Sequence, residues 1–131
     1  NHAVTDGGGL SFWNDGKTVV THCTITGNTT GDGGGGAISH WEQHRLELLN
    51  SIAWGNTAPD LLQKADDELK ARFSLAHGVA GPGVKHGDPL FVDAEAADYS
   101  LQSGSPARDS ADPDSPPDPD RSPADMGRRQ F

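Results

Sequence analysis

Cysteine is nearly missing from this chain: Cys23 stands alone among 131 residues, so no internal disulfide can staple the fold. No set of Cys and His residues falls at zinc-finger spacing either. Aromatic residues make up 6% and hydrophobic residues only 33%, too thin for a thick globular core yet too regularly patterned for disorder. Basic side chains are scarce as well. Ten Lys and Arg against 19 Asp and Glu leave a net charge of -9, which excludes the basic footprint that nucleic-acid binding needs. No apolar run approaches the ~20 residues of a membrane span. The chain opens at Asn1, without a methionine and inside a repeated pattern, so further sequence, any export signal included, is expected upstream.

What the chain has in quantity is glycine, 17 residues, and proline, 9. Two segments resemble each other: GGGLSFWNDGKTVVTHCTITGNTT from Gly7 and GGGAISHWEQHRLELLNSIAWGNTA from Gly34. Aligned on Asn28 and Asn56, they repeat at 56 − 28 = 28 residues. Self-similarity at such a period predicts a solenoid, in which each coil buries its face only against the next. Within each repeat, runs such as Thr18 to Ile25 and Leu46 to Trp54 read as strands between Gly, Asn and Asp turns. Gly7 to Gly9 and Gly33 to Gly36 supply corners, by positive φ or by close approach of neighbouring turns. Asn28 and Asn56 are expected to stack, taking the left-handed conformation.

Residues 58–72 break the pattern. Leu61, Leu62, Ala65 and Leu69 fall at helical spacing with charges between them, which predicts a short helical insertion whose Leu62, Ala65 and Leu69 pack back on the coils. Strand character resumes at Phe73–Leu75 and again at Asp88–Asp93. Two regions follow: coils with their insertion over residues 1–93, and a strand with a Pro- and Asp-rich strap over 94–131. Pro113, Pro116, Pro117, Pro119 and Pro123 remove ladder donors, so the strap is expected to be extended and to lie across the last coil as a cap.

Motifs that carry chemistry are weak. His40 and His44 read H-x-E-x-H rather than the H-E-x-x-H of zinc proteases, and they lie in a strand-and-turn segment. Gly16-Lys17-Thr18 ends like a phosphate loop, but the required earlier glycine is Ser11. Asp15, Asp32 and Glu42 are isolated, no acid pair is expected on adjacent coils, and no catalytic residue is assigned. Asp118-x-Asp120 lacks the Gly and distal Glu of a calcium loop, so no cofactor is expected beyond a weakly held calcium ion. Aromatic faces pack on sugar rings, and Trp13 and Trp41 occupy nearby points of successive repeats. Trp13, Asp15, Trp41, Glu42 and His44 are therefore the candidate ligand-binding residues, set against the alternative that the tryptophans are core or corner plugs. Trp54 is expected in the interior.

NSIAWGN from Asn50, GDPLFVD from Gly87, DYSLQSGSPARDSA from Asp98 and DMG from Asp125, closed by Phe131, give the chain a family resemblance. It resembles the C-terminal region of bacterial right-handed parallel β-helix surface proteins with a choice-of-anchor type Q domain. It departs from them after Asp109, where it has Ser110-Ala111 and those proteins usually have Gly, and in its short end after DMG. The resemblance implies an all-β, right-handed parallel β-helix of few coils in an exported, secreted or cell-surface protein, with no single activity. Val20, Ile25, Leu48, Ile52, Leu75 and Phe91 are expected to share one narrow interior. Expected partners are the chain's own upstream coils, a second fragment or identical subunits at the N-terminal coil edge, and a polysaccharide. The functional expectation is a structural or interaction module. The alternatives are the end of a polysaccharide lyase or glycosidase with upstream catalytic coils, and a subunit of an extracellular assembly or filament.

Overall fold

The computed structural model describes residues 1–5, 7–31, 35–57, 59–63 and 68–127, and for Leu62 and Gln63 the backbone alone. Among the described residues the chain is all-β, without a helix. It makes three successive passes. The first holds β1 (His2–Ala3), β2 (Leu10–Phe12), β3 (Gly16–Thr21), β4 (Thr24–Thr26) and β5 (Thr29–Thr30). The second holds β6 (Ile38–His40), β7 (His44–Leu49) and β8 (Ile52–Trp54), the third β9 (Leu61–Gln63), β10 (Glu68–Arg72) and β11 (Leu75–Ala76). Corresponding strands pair in parallel, giving three three-stranded sheets, β2-β6-β9, β3-β7-β10 and β4-β8-β11, while β1 pairs with β5. A hairpin of β12 (Phe91–Asp93) and β13 (Asp98–Leu101) follows, antiparallel.

The register carries the 28-residue repeat: Leu10 faces Ile38, Lys17 faces Arg45 and Thr24 faces Ile52. From the second pass to the third the step shortens to 61 − 38 = 23 residues, with Ile38 opposite Leu61 and Arg45 opposite Glu68. The described residues of 58–72, 59–63 and 68–72, therefore form strands and no helical insertion. Within them, β9 and β10 are the third pass itself, and Glu68, Lys70 and Arg72 face out while Ala71 is buried and Leu69 packs on the core. The ready-made edge of β7 overrides the helical spacing, because each strand laid on it satisfies a row of backbone groups. Of the expected packing residues, Leu69 serves; Ala65, and the Leu62 side chain, lie outside what the structure describes, as do Asp32 and Phe131.

Each long run splits at a sharp bend repeated in all three passes. His22, Asn50 and Phe73 take positive φ of 50°, 49° and 44° there, in the left-handed region. The residue after each bend joins a ladder: Ser51 Oγ accepts from Cys23 N at 3.2 Å, and Ser74 Oγ accepts from Ser51 N at 3.1 Å. The Asn pair also forms, Asn28 Nδ2 donating to Asn56 Oδ1 at 3.1 Å, but the left-handed residues are the preceding Gly27 and Gly55, at φ 65° and 67°. At the corner glycines the close-approach reading holds. A Cβ on Gly36 would meet the Thr57 carbonyl oxygen at 2.3 Å.

Two apolar cores result instead of the expected single interior. The inner one holds Val20, Ile38, Leu46, Leu48, Ala53, Leu61, Ala71 and Ala76, with Ile25 packed against it. Strand alternation sends Ile52 and Leu75 to the opposite face of the β4-β8-β11 sheet, where they join Phe91, Ala107 and Met126. Trp54 packs against that second core and is not interior. The C-terminal arm thus covers the side of the stack. Gly127, at φ 85°, comes so close that an added Cβ would sit 2.7 Å from Thr24 Oγ1 and 2.8 Å from Ile52 Cδ1. The end of the third pass is covered by another segment, residues 78–86. Val79 and Val84 pack on the inner core, Lys85 N donates to Ser74 O at 2.8 Å, and Phe73 N donates to Pro82 O at 2.8 Å.

Candidate functional site

Trp13 and Asp15 lie in the bend between β2 and β3, Trp41 and Glu42 in the bend between β6 and β7, and His44 opens β7. Trp13 and Trp41, 41 − 13 = 28 residues apart, occupy the same point of the first two passes and stack at 5.5 Å with planes 14° apart. Trp13 remains 51% exposed and donates from Nε1 to Ser11 Oγ at 3.1 Å. One indole therefore serves as the seat of the other, and Trp13 alone presents a broad aromatic surface to solvent. The bends are strained: Asn14, Glu42 and Gln43 have φ of 68°, 58° and 65°, a region that costs a non-glycine residue about 1–2 kcal/mol. Asp15 and Glu42 are exposed beside the indoles.

His44 is at the site but is not available to a ligand. It is buried, its ring stacks on Phe12 at 5.3 Å, Nδ1 donates to Asn14 O at 3.1 Å, and Nε2 accepts from Thr18 Oγ1 at 2.9 Å. Both ring nitrogens are thus committed to holding the corner. His40 is fully buried, and Nδ1 donates to His44 O at 3.0 Å. Its Nε2 has no hydrogen-bond partner among the described residues. The two histidines are joined through a main-chain carbonyl rather than by converging rings. Among the described residues no group of three or more His, Cys, Asp or Glu is placed to hold a metal ion.

Acids do meet in the C-terminal arm. Asp125 Oδ1 accepts from Asp109 N at 2.7 Å and Asp118 Oδ2 accepts from Asp125 N at 3.0 Å, beside a cavity of about 260 Å³ also lined by Arg108, Asp120 and Ser122. Burial, and then the nearby Asp118 and Asp109 charges, raise the Asp125 pKa above the usual carboxylate range. Asp120 is lowered by its hydrogen bonds from Ser122. These carboxylates bind main-chain N–H groups and fasten turns.

A second cluster escaped the sequence reading. The outward residues of β3, β7 and β10 bring Lys17, Arg45, Glu47, Glu68, Lys70 and Arg72 onto one sheet face. Glu47 and Glu68 lie on adjacent strands, against the expectation that no two acids would do so. Glu68 is held below the usual carboxylate range by its hydrogen bond and charge interaction with Lys70, with Arg45 adding to the effect. A carboxyl kept ionised is unsuited to general-acid catalysis, which needs a raised pKa. The signal was present in the alternation of ELKAR, and the helical reading of residues 58–72 concealed it. No family model matches the chain, and no curated protein and no solved structure is significantly similar to it.

Proposed function

We propose that the chain is the terminal part of a right-handed parallel β-helix from a secreted or cell-surface protein, and that it works as a non-catalytic interaction module. Its open first pass receives strands from further coils or a partner chain, and the Trp13 corner offers a seat for a sugar ring. The parallel ladders, the repeated bends and the motifs from NSIAWGN to DMG support the scaffold. One observation carries the module: inward positions are more exposed in the first pass than in the second. Leu10 is 38% exposed and its register partner Ile38 is 0%, while Val20 and Leu48 stand at 7% and 0%. The first pass is thus less covered than the second, most of all at Leu10, and there β2, β3 and β4 are also edge strands.

Hydrogen exchange and binding of an apolar dye test this. Amides of β2 and the outer side of β3 should exchange well before those of β7, and the dye should bind until Leu10→Lys is introduced. Equal protection of β3 and β7 with no dye binding would overturn the proposal. Sugar contact is read separately, as quenching of tryptophan fluorescence by oligosaccharides that Trp13→Ala removes. Polysaccharide cleavage by the chain that Glu47→Gln abolishes would refute the non-catalytic part.

A further inference from the structure

We propose that the outer face of the β3-β7-β10 sheet is a binding site for a carboxylate-bearing polysaccharide. The face runs against the charge of the molecule. It gathers four cations, Lys17, Arg45, Lys70 and Arg72, with two acids, Glu47 and Glu68, for 4 − 2 = +2, and +1 when Asp112 at its rim is included, in a chain whose 10 basic and 19 acidic residues total -9. Each glutamate is shared between two cations. Glu47 lies 3.6 Å from Lys17 and 4.0 Å from Arg72, and Glu68 lies 3.4 Å from Arg45 and 2.5 Å from Lys70. Lysine has three donors and arginine five, so every cation keeps donors to spare, and the Lys17, Arg45 and Lys70 side chains are 62%, 67% and 64% exposed.

Carboxylate is the anion the face already takes. Asp112 of the C-terminal arm reaches its rim, 3.7 Å from Arg72. A groove of about 230 Å³ lies among Lys17, Arg45, Glu47, Glu68 and Lys70, below the roughly 300–1,000 Å³ of pockets that enclose whole drug-sized ligands. It suits one unit of a chain whose neighbouring units lie along the flat face. The strands are spaced about 4.8 Å apart, so side-chain charges recur at short, regular intervals along the stack. Val19, 45% exposed on β3 opposite Glu47, offers apolar contact to the C–H face of a ring. An added peptide strand would seek unpaired main-chain groups at a sheet edge, whereas here the recognition elements are side chains on a face. The site is separate from the Trp13 corner.

Titration of the full chain with polygalacturonate at low ionic strength tests the proposal, with dextran and poly-glutamate as the neutral and peptide controls. Binding is expected for polygalacturonate only, falling steeply as salt is raised. The double variant Lys17→Gln/Arg45→Gln should weaken it by about 10-fold or more, because a multivalent ligand compounds the loss. Lys70→Gln should weaken it less, and Trp13→Ala should leave it unchanged. The substituted side chains are exposed, so melting temperatures should stay near that of the parent chain and report folding directly. No binding at low salt, equal binding of poly-glutamate, or full affinity in the folded double variant would each overturn it.

Discussion

Asn50 is 1% exposed and spends its polar groups on the C-terminal arm: Oδ1 accepts from Asp112 N at 2.7 Å, Nδ2 donates to Ser115 Oγ at 2.8 Å, and its carbonyl accepts from Gly127 N at 2.8 Å. Its φ of 49° adds a reason for Asn, which tolerates the left-handed region better than most residues. Asn50→Ala strands the half-buried Asp112 N–H and the Ser115 hydroxyl, and the expected cost is about 1–3 kcal/mol, read as a lowered denaturation midpoint with early proteolysis of the arm. An unchanged midpoint would mean that water replaces the side chain. This role was illegible in the sequence because its partners lie 62 and 65 residues away. The Asn28–Asn56 pair was legible, since the repeat alone aligns it.

Asp125 gives a pH-dependent counterpart. Burial and neighbouring carboxylates raise its folded pKa above its unfolded value, so the folded state holds the proton more tightly. The stability from this group is full below the ordinary carboxylate pKa and is lost as pH rises through the raised value. Asp125→Asn keeps an oxygen for the Asp109 N–H and removes the charge. The variant should melt higher than the parent at pH 7, with the difference closing towards about pH 4. A lower melting temperature at pH 7 would show that the arm needs the carboxylate charge.

Among the elements, the strand runs of the first two passes were readable from period and turn residues, whereas the third pass was not. DLLQKADDELKAR satisfies a helical spacing and, in ELKAR, an alternating one, and only the edge supplied by β7 decides between them. The two-sided use of β8 was hidden for a similar reason: Ile52 and Ala53 are both apolar, so the residues alone do not say that one faces the inner core and the other the arm. This division predicts different failures. Leu48→Asp places an unpaired charge in the inner core and should cost several kcal/mol across the whole fold. Gly127→Ala forces a Cβ against Thr24 and Ile52 and strains a φ of 85°, so it should undock the arm first. Native-state exchange distinguishes them: in the glycine variant Met126 and Ala111 amides lose protection while those of β7 keep theirs. Uniform loss in both variants would mean one cooperative unit.

For the whole molecule, the two ends of the stack are unequal, and the inequality bears on how copies of the chain associate. At the third pass, Val79 and Val84 close the inner core, and Lys85 forms a parallel bridge to Leu75. At the first pass Leu10 lies 38% exposed and β2, β3 and β4 have open edges. A head-to-tail filament needs both ends free, because each copy must offer the edge that the next one covers. At the third pass β9 and β10 are still edge strands, but the inner core is covered by Val79 and Val84, so two copies are expected to meet first pass to first pass, about a two-fold axis, and that contact uses the edge on both partners. Association should therefore stop at two. Sedimentation at rising concentration is expected to give masses between one and two times 13.7 kDa, shifted to the single chain by Leu10→Lys. Introducing Val84→Asp to loosen the third-pass cover should lower stability and let larger species form. Mass that grows past the dimer in the unsubstituted chain would show that the 78–86 segment does not close the stack.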